Sequence, residues 1–478
     1  MYYVVRAIYR ITFHPLRAFP GPRLRAISHL PHAIAGVKGR QAFEVRDLHL
    51  QYGEVVRVEP DTLSFMTGEA WKDIYGHAAA KNFPKYGYFS IGKGAQPLLT
   101  ANDNDYPRQR AALAHGFSDR AISGQEAGFT RHITEFIEKL DETAKDNKDI
   151  DISKWVTFIA FDIVGEFTLG MQFGCVGNSE NHPWVDLMVN WMHAVAYALN
   201  ATAFGVLMPF LMIFADWKNL RGIETHMKLS AEKVRERVKV GDDRSKADLW
   251  TYILHSEGDK SMSLAEMEVN AGFLVSAATT PVADAICGAL YLLAKHQDIL
   301  DKLRKEVESH VKSYKEITMS ITAKMPYLLG VLNESMRLYT PTPGIAKRQA
   351  SRDGAFVSGV FVPGGTVVGV YQLAAFTSAN NFTLPDSYIP ERWFPALHPD
   401  RPKVTLSDKQ DACQPFGYGY KSCLGKGLAL VEMKLILARF VWHFDFELSD
   451  DGFAFEKQKV FLFRRRPALN MKLRARKR

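Results

Sequence analysis

Near its C-terminal end the chain reads Pro415-Phe416-Gly417-Tyr418-Gly419-Tyr420-Lys421-Ser422-Cys423-Leu424-Gly425, and the apolar run Leu428-Ala429-Leu430-Val431 follows. One thiol stands among three glycines and a proline, so the stretch reads as a stiff loop entering a helix. A thiol at a helix start, flanked by Lys421 and Lys426, sits in positive potential that favours thiolate. Gly419 and Gly425 let backbone come close to something flat or bulky. A phosphate loop is excluded, because Gly427 rather than Ser or Thr follows Lys426. A dinucleotide fingerprint is excluded too, because its third glycine is missing. Two readings of Cys423 stay open: a buried structural thiol, the commonest fate of a lone cysteine, and a metal or haem thiolate ligand.

The rest of the composition narrows the setting. With 478 residues the chain can bury a large core, and length alone suggests two or three domains. No stretch has the composition of a linker, so one large, mostly helical unit is expected. The formal charge of +8 suits an anionic membrane surface or an acidic electron-donor protein. No zinc-like or RNA-binding signature accompanies it, so no nucleic acid partner is expected. The four cysteines, Cys175, Cys287, Cys413 and Cys423, lie far apart, which is no secreted disulfide framework and fits a reducing compartment.

Residues 1–13 are apolar and aromatic but interrupted by Arg6 and Arg10. A spanning helix needs about 20 apolar residues, so this segment reads as an interfacial piece, the stub of an anchor, or a packed terminus. Pro15, Pro20 and Pro22 then make a stiff, extended connector. Residues 54–66 predict two short strands about Glu59-Pro60-Asp61, and a short helix follows from Glu69 to His77. Pro107 suits the first turn of a helix on which Tyr106 and Arg110 share a face. Arg108 reads as a solvated charge. Two helices are expected over 125–174. Residues 191–215 are long and apolar, but His193, Asn200, Thr202, Gly205 and Pro209 interrupt them, which favours a cover over a hydrophobic cavity.

Ser263-Leu264-Ala265-Glu266 is a capping box that opens a helix running to Lys295. Inside it Pro281 removes one amide and its ring collides with the Ala277 carbonyl, predicting a kink there. Small residues at Ser276, Ala277 and Ala278 leave room beside the helix. Thr279 and Thr280 either face that room or bond back to the carbonyl four residues earlier. Residues 298–312 predict a charged helix. Residues 328–339 predict an amphipathic one that ends before Pro341 and Pro343 and carries Glu334 and Arg337 on one face. Strands at Phe356–Val357 and Val367–Val370 predict a small sheet.

The stretch Phe416-x-x-Gly419-x-Lys421-x-Cys423-x-Gly425 resembles the haem-binding signature of the cytochrome P450 family, with Lys421 where the family usually has Arg. Glu334-x-x-Arg337, about ninety residues earlier, and Pro390-Glu391-Arg392-Trp393 are similar to two further family elements, in the family's order. Tyr106-x-x-x-Arg110 is similar to a fourth, and residues 14–22 resemble the hinge of microsomal members. On these residues the chain is identified as a member of the family, resembling fungal microsomal members that tailor secondary metabolites.

The resemblance implies a mainly α protein with small β-sheets (α+β). Its helical body is triangular and holds heme b between the long distal helix and the Cys loop. It implies an anchor remnant and hinge over residues 1–22 and one catalytic domain over 23–478. Cys423 becomes the iron ligand, with Phe416 and Gly425 beside the haem. Tyr106, Arg110, Arg348 and Lys421 fall at the propionates, and Glu334, Arg337 and Arg392 form a network behind the Cys loop. Phe204, Met208, Ala277, Ala278 and Phe461 fall on the substrate pocket. The chain departs from the family at A-G-x-[DE]-T-T: aligned on Ala277-Ala278, Thr280 takes the place of the acid, and Pro281 and Val282 take those of the threonines. Thr279 or Thr280 is the expected substitute, and Asp284 lies a turn further on. The implied reaction is a monooxygenation (hydroxylation, epoxidation or desaturation) of an apolar small molecule in secondary metabolism. Atypical haem-thiolate chemistry using peroxide, rearrangement or coupling is the alternative. NADPH would supply electrons through a reductase docked near Lys421, Lys426 and Arg108. A monomer at the cytoplasmic face of the endoplasmic reticulum membrane is expected.

Overall fold

The computed structural model describes residues 1–87, 94–180, 182–207, 210, 213, 217–241, 248–254 and 261–477. The first thirteen residues fold as α1 (Tyr2–Thr12), on which no residue is buried. A short helix, α2 (Leu30–Val37), precedes the antiparallel strands β1 (Val55–Glu59) and β2 (Thr62–Phe65), which turn at Pro60. Next come α3 (Asp105–Ala114), with Pro107 in its first turn, and α4 (Glu126–Ala144). The pair β3 (Ile150–Asp151) and α5 (Ile152–Leu169) follows, and the Asp151 carboxylate caps α5 by accepting from the Ser153 amide at 3.0 Å. The apolar stretch around residue 190 forms α6 (Pro183–Ala201) and passes into a 3-10 turn, and α7 (Trp217–Val240) comes after it.

The longest element is α8 (Leu264–Lys295), 32 residues, hence about 48 Å at 1.5 Å per residue. Its capping box forms as the sequence predicts: the Glu266 amide donates to Ser263 Oγ at 3.3 Å and the Ser263 amide returns to Glu266 Oε2 at 2.8 Å. The helix runs unbroken through Pro281. It is long and apolar enough to cross a membrane, yet 78% of its most apolar window is buried against its neighbours. It is the central beam of the core, packed by α5, α7, α10 and α11.

Further along come α9 (Gln297–His310), α10 (Pro326–Leu338), β4 (Arg348–Gln349), β5 (Val367–Val370), α11 (Lys426–His443) and β6 (Phe444–Leu448), with shorter helices between some of them. The hairpin β7 (Lys459–Val460) and β8 (Arg464–Arg465) and the last strand, β9 (Asn470–Ala475), close the chain. The strands join in the order β1-β2-β5-β4, with β2 and β5 parallel, and in the order β3-β9-β6. Residues 355–357 and 360–362 make a separate hairpin, so the Phe356–Val357 segment does not pair with Val367–Val370. Its exposed Phe356 and Phe361 meet edge to face instead. The main core wraps α8, and a second core lies under the four-stranded sheet.

One sequence expectation is corrected here. Arg108 is not a free solvated charge: it pairs with Glu266 and, at 3.0 Å, with Asp105, because the capping-box carboxylate is the nearest anion. Gln109 adds a bond to Glu266 at 3.3 Å, so α3 is fastened to the start of α8. Burial alone raises the Glu266 carboxyl. The donors Arg108 and Ser263 outweigh it and hold it at about 2. A depressed carboxylate stabilises the fold above its ordinary pKa and loses that contribution as pH falls through the folded value. Acid titration of the melting temperature is therefore expected to show a loss of at most about 3 kcal/mol from Glu266 as pH falls from the usual glutamate range to about 2. Glu266→Gln removes that part of the dependence.

Candidate active site

The Cys loop is shaped by its own glycines and fixed from outside. Gly417 and Gly419 hold φ of 71° and 69°, conformations that L side chains rarely adopt. A Cβ at Gly419 would lie 2.0 Å from the Tyr75 carbonyl oxygen, so only glycine fits that approach. The Cys423 amide donates to the Phe416 carbonyl at 2.8 Å, closing the loop on itself. Gly425 caps α11 with φ −86°, an ordinary value, and needs no glycine for its backbone. From α3, Arg110 Nη1 donates to the Ser422 carbonyl at 2.9 Å and the Tyr106 hydroxyl to the Tyr420 carbonyl at 3.3 Å.

Cys423 is exposed as a residue, yet its thiol is closely surrounded by protein, so it is recessed rather than displayed on the outer surface. Burial pushes the thiol up, and the opposing Gly425 amide, Arg110 and Lys426 do not outweigh it. The thiolate expected from potential alone is therefore not what the fold by itself favours, because desolvation of the charge is larger.

Behind the loop lies a buried ionic network. Glu334 accepts from Arg337 Nη2 at 2.8 Å, from Arg392 Nε at 2.9 Å, and from the Trp393 ring nitrogen at 2.9 Å. Arg337 Nη1 donates on to the Phe376 and Pro385 carbonyls at 2.9 and 2.7 Å. Arg392 also pairs with Asp408. Both arginines and Glu334 are fully buried. Trp393, from the Pro390–Trp393 element, joins the network, and so does Asp408, which sequence spacing does not single out. From Asp408 the chain leads straight to the Cys loop, held on the way by Trp71 Nε1 donating to the Ala412 carbonyl at 3.0 Å.

The expected propionate cations gather around the buried ring of Tyr106. Arg110 donates to its hydroxyl at 3.1 Å, and Lys421 lies 5.3 Å from its ring centroid. Arg348, on β4, sits 5.2 Å from the Tyr75 ring and acts electrostatically on Tyr106. Lys421 pairs with Asp103 at 2.9 Å. A fourth cation, Lys85, lies 4.5 Å from the Tyr106 ring and donates to the Leu99 carbonyl at 2.8 Å. Burial first, then Lys421 and Arg348, bring Lys85 down to about 7. Nothing in its local sequence, Pro84-Lys85-Tyr86, marks it out.

On α8 the residues Phe273, Ala277, Ala278 and Pro281 are half-buried in the middle of a helix whose other positions there are buried. Their spacing places them on one face. Thr279 is not on it: it is fully buried and its hydroxyl donates to the Val275 carbonyl at 2.8 Å. Its expected catalytic role is therefore corrected to back-bonding. Thr280 borders the face and is 8% exposed. Phe204 and Phe461 are half-buried, and the Phe461 ring packs over Gly39. Met208 lies outside the described residues.

A cytochrome P450 profile matches residues 20–470. The chain belongs to the cytochrome P450 family. Cytochrome P450 monooxygenase astJ of Aspergillus oryzae is 34% identical over 98% of this chain and 94% of its own length. Averantin hydroxylase of Dothistroma septosporum is 35% identical, covering 92% and 82%. Trichothecene C-15 hydroxylase of Fusarium sporotrichioides is 34% identical, covering 99% and 96%. The chain is thus an oxidoreductase of the P450 monooxygenase type, with a haem-thiolate cofactor, a small-molecule substrate and an electron-donating partner.

The residues present fit such a cofactor. An exposed but recessed thiol can reach a metal. Four cations in one rim, faced by the single carboxylate of Asp103 among the groups acting on Lys85, suit a group with two acid arms. A stripe of small side chains on the buried α8 leaves a flat group room.

The network behind the loop gives a stability test. Arg392→Ala removes the cation that joins the buried Glu334 and Asp408, leaving two carboxylates enclosed with one guanidinium, and denaturant unfolding is expected to show a loss of about 3–5 kcal/mol.

Proposed function

We propose that Cys423 ligates the haem iron and that the protein oxidises an apolar small molecule in secondary metabolism, by hydroxylation, epoxidation or desaturation. The observation that carries this reading is the exposed but recessed Cys423, held by a self-closed loop. The bound haem supplies activation of dioxygen, which the thiolate assists by donating electron density. Metal binding deprotonates the thiol outright, which overrides the burial that raises it.

The chain's own residues do the rest. Arg110, Arg348, Lys421 and Lys85 take the two propionates. Arg110 also keeps the Ser422 carbonyl bound, so one guanidinium ties the cofactor rim to the ligand loop. Phe416 and Gly425 flank the cofactor on the thiolate side. Ala277, Ala278, Phe204 and Phe461 line an apolar space that orients substrate and keeps bulk water out. Glu334, Arg337 and Arg392 hold the loop from behind.

Electrons come from NADPH through a reductase. The exposed Lys426 supports docking on the thiolate side, whereas Arg108 is committed to Glu266 and drops out of that surface. Association with the cytoplasmic face of the endoplasmic reticulum membrane is supported by exposed apolar side chains. Tyr2, Val5, Tyr9 and Phe13 lie on or beside α1, and Phe210, Ile213 and Trp217 follow α6.

The carbon-monoxide spectrum of the reduced protein tests the ligand. Wild type is expected to show the red-shifted thiolate band. Cys423→Ala is expected to lose it, and persistence of the band in the variant would refute Cys423 as ligand. Arg110→Ala is expected to keep the band but release haem faster, read by transfer to apomyoglobin.

A further inference from the structure

The exposed stripe of α8 has a buried continuation. Phe273, Ala277, Pro281 and Asp284 follow at steps of four, four and three, so they share one face. The first three are half-buried, and Asp284 is fully buried beneath the segment after β7. Asp284 Oδ1 accepts from Arg466 Nη1 at 2.9 Å, and Arg466 Nη2 donates to Thr157 Oγ1 at 2.8 Å. Among the described residues, Asp284 Oδ2 has no hydrogen-bond partner. Neither has Nη1 or Nη2 of the buried Arg464, whose Nε donates to the Thr340 carbonyl at 3.1 Å. An orphaned acceptor beside orphaned donors is costly unless water serves both.

Arg466 connects this spot to the outside. It lines a surface pocket of ≈ 310 Å³ together with Lys457, Gln458, Lys459 and Arg465. Lys459 and Arg465 stand directly opposite each other across the β7–β8 hairpin. Like charges so placed repel each other, so their head groups favour solvent over one another. On the inner side, Pro281 offers no amide to the Ala277 carbonyl, so that carbonyl lacks its usual helical donor on the half-buried stripe and suits a water hydrogen. Thr280 stands four residues before Asp284, one helical turn away.

We propose that Asp284 relays protons from solvent in the Arg466 pocket to water held at the Ala277 carbonyl and Thr280, replacing the acid–alcohol pair missing from α8. The inference rests on the monooxygenase reading above. Monooxygenation takes one dioxygen, two electrons from the donor and two protons; one oxygen atom enters the product and the other leaves as water. In each passage Asp284 Oδ2 gains a proton from pocket water and loses one to cavity water, ending unchanged.

The charges around Asp284 suit the task. Burial raises its carboxyl to about 6 against the pull of Arg466 and Arg464, so both forms are populated near neutrality. Cys287, one turn along α8, is pushed by burial up to about 12, and burial also raises Tyr339 at the end of α10. Asp151, at the start of α5, accepts the amides of Ser153 and Leu469 at 3.0 Å each. Among Asp284, Cys287 and Tyr339, only Asp284 changes charge across the neutral range.

The test uses the haem-loaded enzyme with its reductase. In the ferric protein, infrared difference spectra are expected to show a carboxylic-acid band titrating near 6. The band should shift in heavy water and vanish in Asp284→Asn. NADPH oxidation and peroxide release, without added organic substrate, are expected to slow about tenfold or more in Asp284→Asn. The solvent isotope effect should rise, the thiolate spectrum should persist, and Asp284→Glu should restore the rate. An Asn variant within twofold of wild type, with the same pH profile, would overturn the relay. If Asp284→Asn fails to take up haem, Arg466→Gln decides: the band midpoint is expected to rise by about one pH unit, and an unmoved midpoint overturns the proposal. Wild type that shows the thiolate band but no NADPH-driven turnover refutes the monooxygenase reading instead. The infrared titration then judges the Asp284 path on its own.

Discussion

The Glu334 carboxylate is the constraint on which the thiolate side of the molecule depends. It is fully buried and accepts bonds from Arg337, Arg392, Trp393 and the Ile389 amide. A bare buried carboxylate would be intolerable, and so would either bare guanidinium. The three charges therefore exist only as a set, with further carbonyls taking the remaining guanidinium hydrogens. That requirement fixes the end of α10, the Pro390–Trp393 turn and Asp408 relative to one another. The Cys loop inherits its position from them. Its own residues from Gln414 to Ser422 are only half-buried, and their apolar contacts alone would not hold it.

The two sides of the cavity use charge in opposite ways. On the Cys-loop side cations crowd together about Tyr106, and burial, with the repulsion of Lys421 and Arg348 added, lowers the pKa of Lys85. Such a rim is electrostatically incomplete until anionic groups enter it. On the α8 side the charges are few and mostly buried: Asp284, its partner Arg466 and the nearby Arg464, the arginines from a segment far away in sequence. Burial there raises an acid into the neutral range rather than suppressing a cation. The same physical effect, desolvation, thus lowers a cation's pKa in one place and raises an acid's in the other.

Local patterns were legible where the chain itself creates the interaction. The capping box of α8, the one-turn pairing of Tyr106 with Arg110 and of Glu334 with Arg337, and the tight Gly419 turn all lie within a few residues. Thr279 was misjudged because a helix offers every threonine a carbonyl four residues back, and burial made that bond the better one. Arg108 was misjudged because its partner, Glu266, stands 158 residues away. Lys85 and Arg466 left no local trace at all. Their importance comes from what folding packs beside them.

The amino-acid sequence by itself determined the family, the glycine-bounded Cys loop, the Glu334–Arg337 pair and the absence of the usual acid and alcohol on α8, since each is written in short-range spacing and residue chemistry. Only the tertiary structure decided which charges meet. Desolvation and Coulomb interaction act across space, not along the chain, so the fourth cation at Tyr106 and the Arg466 partner of Asp284 emerge only when distant segments are enclosed together.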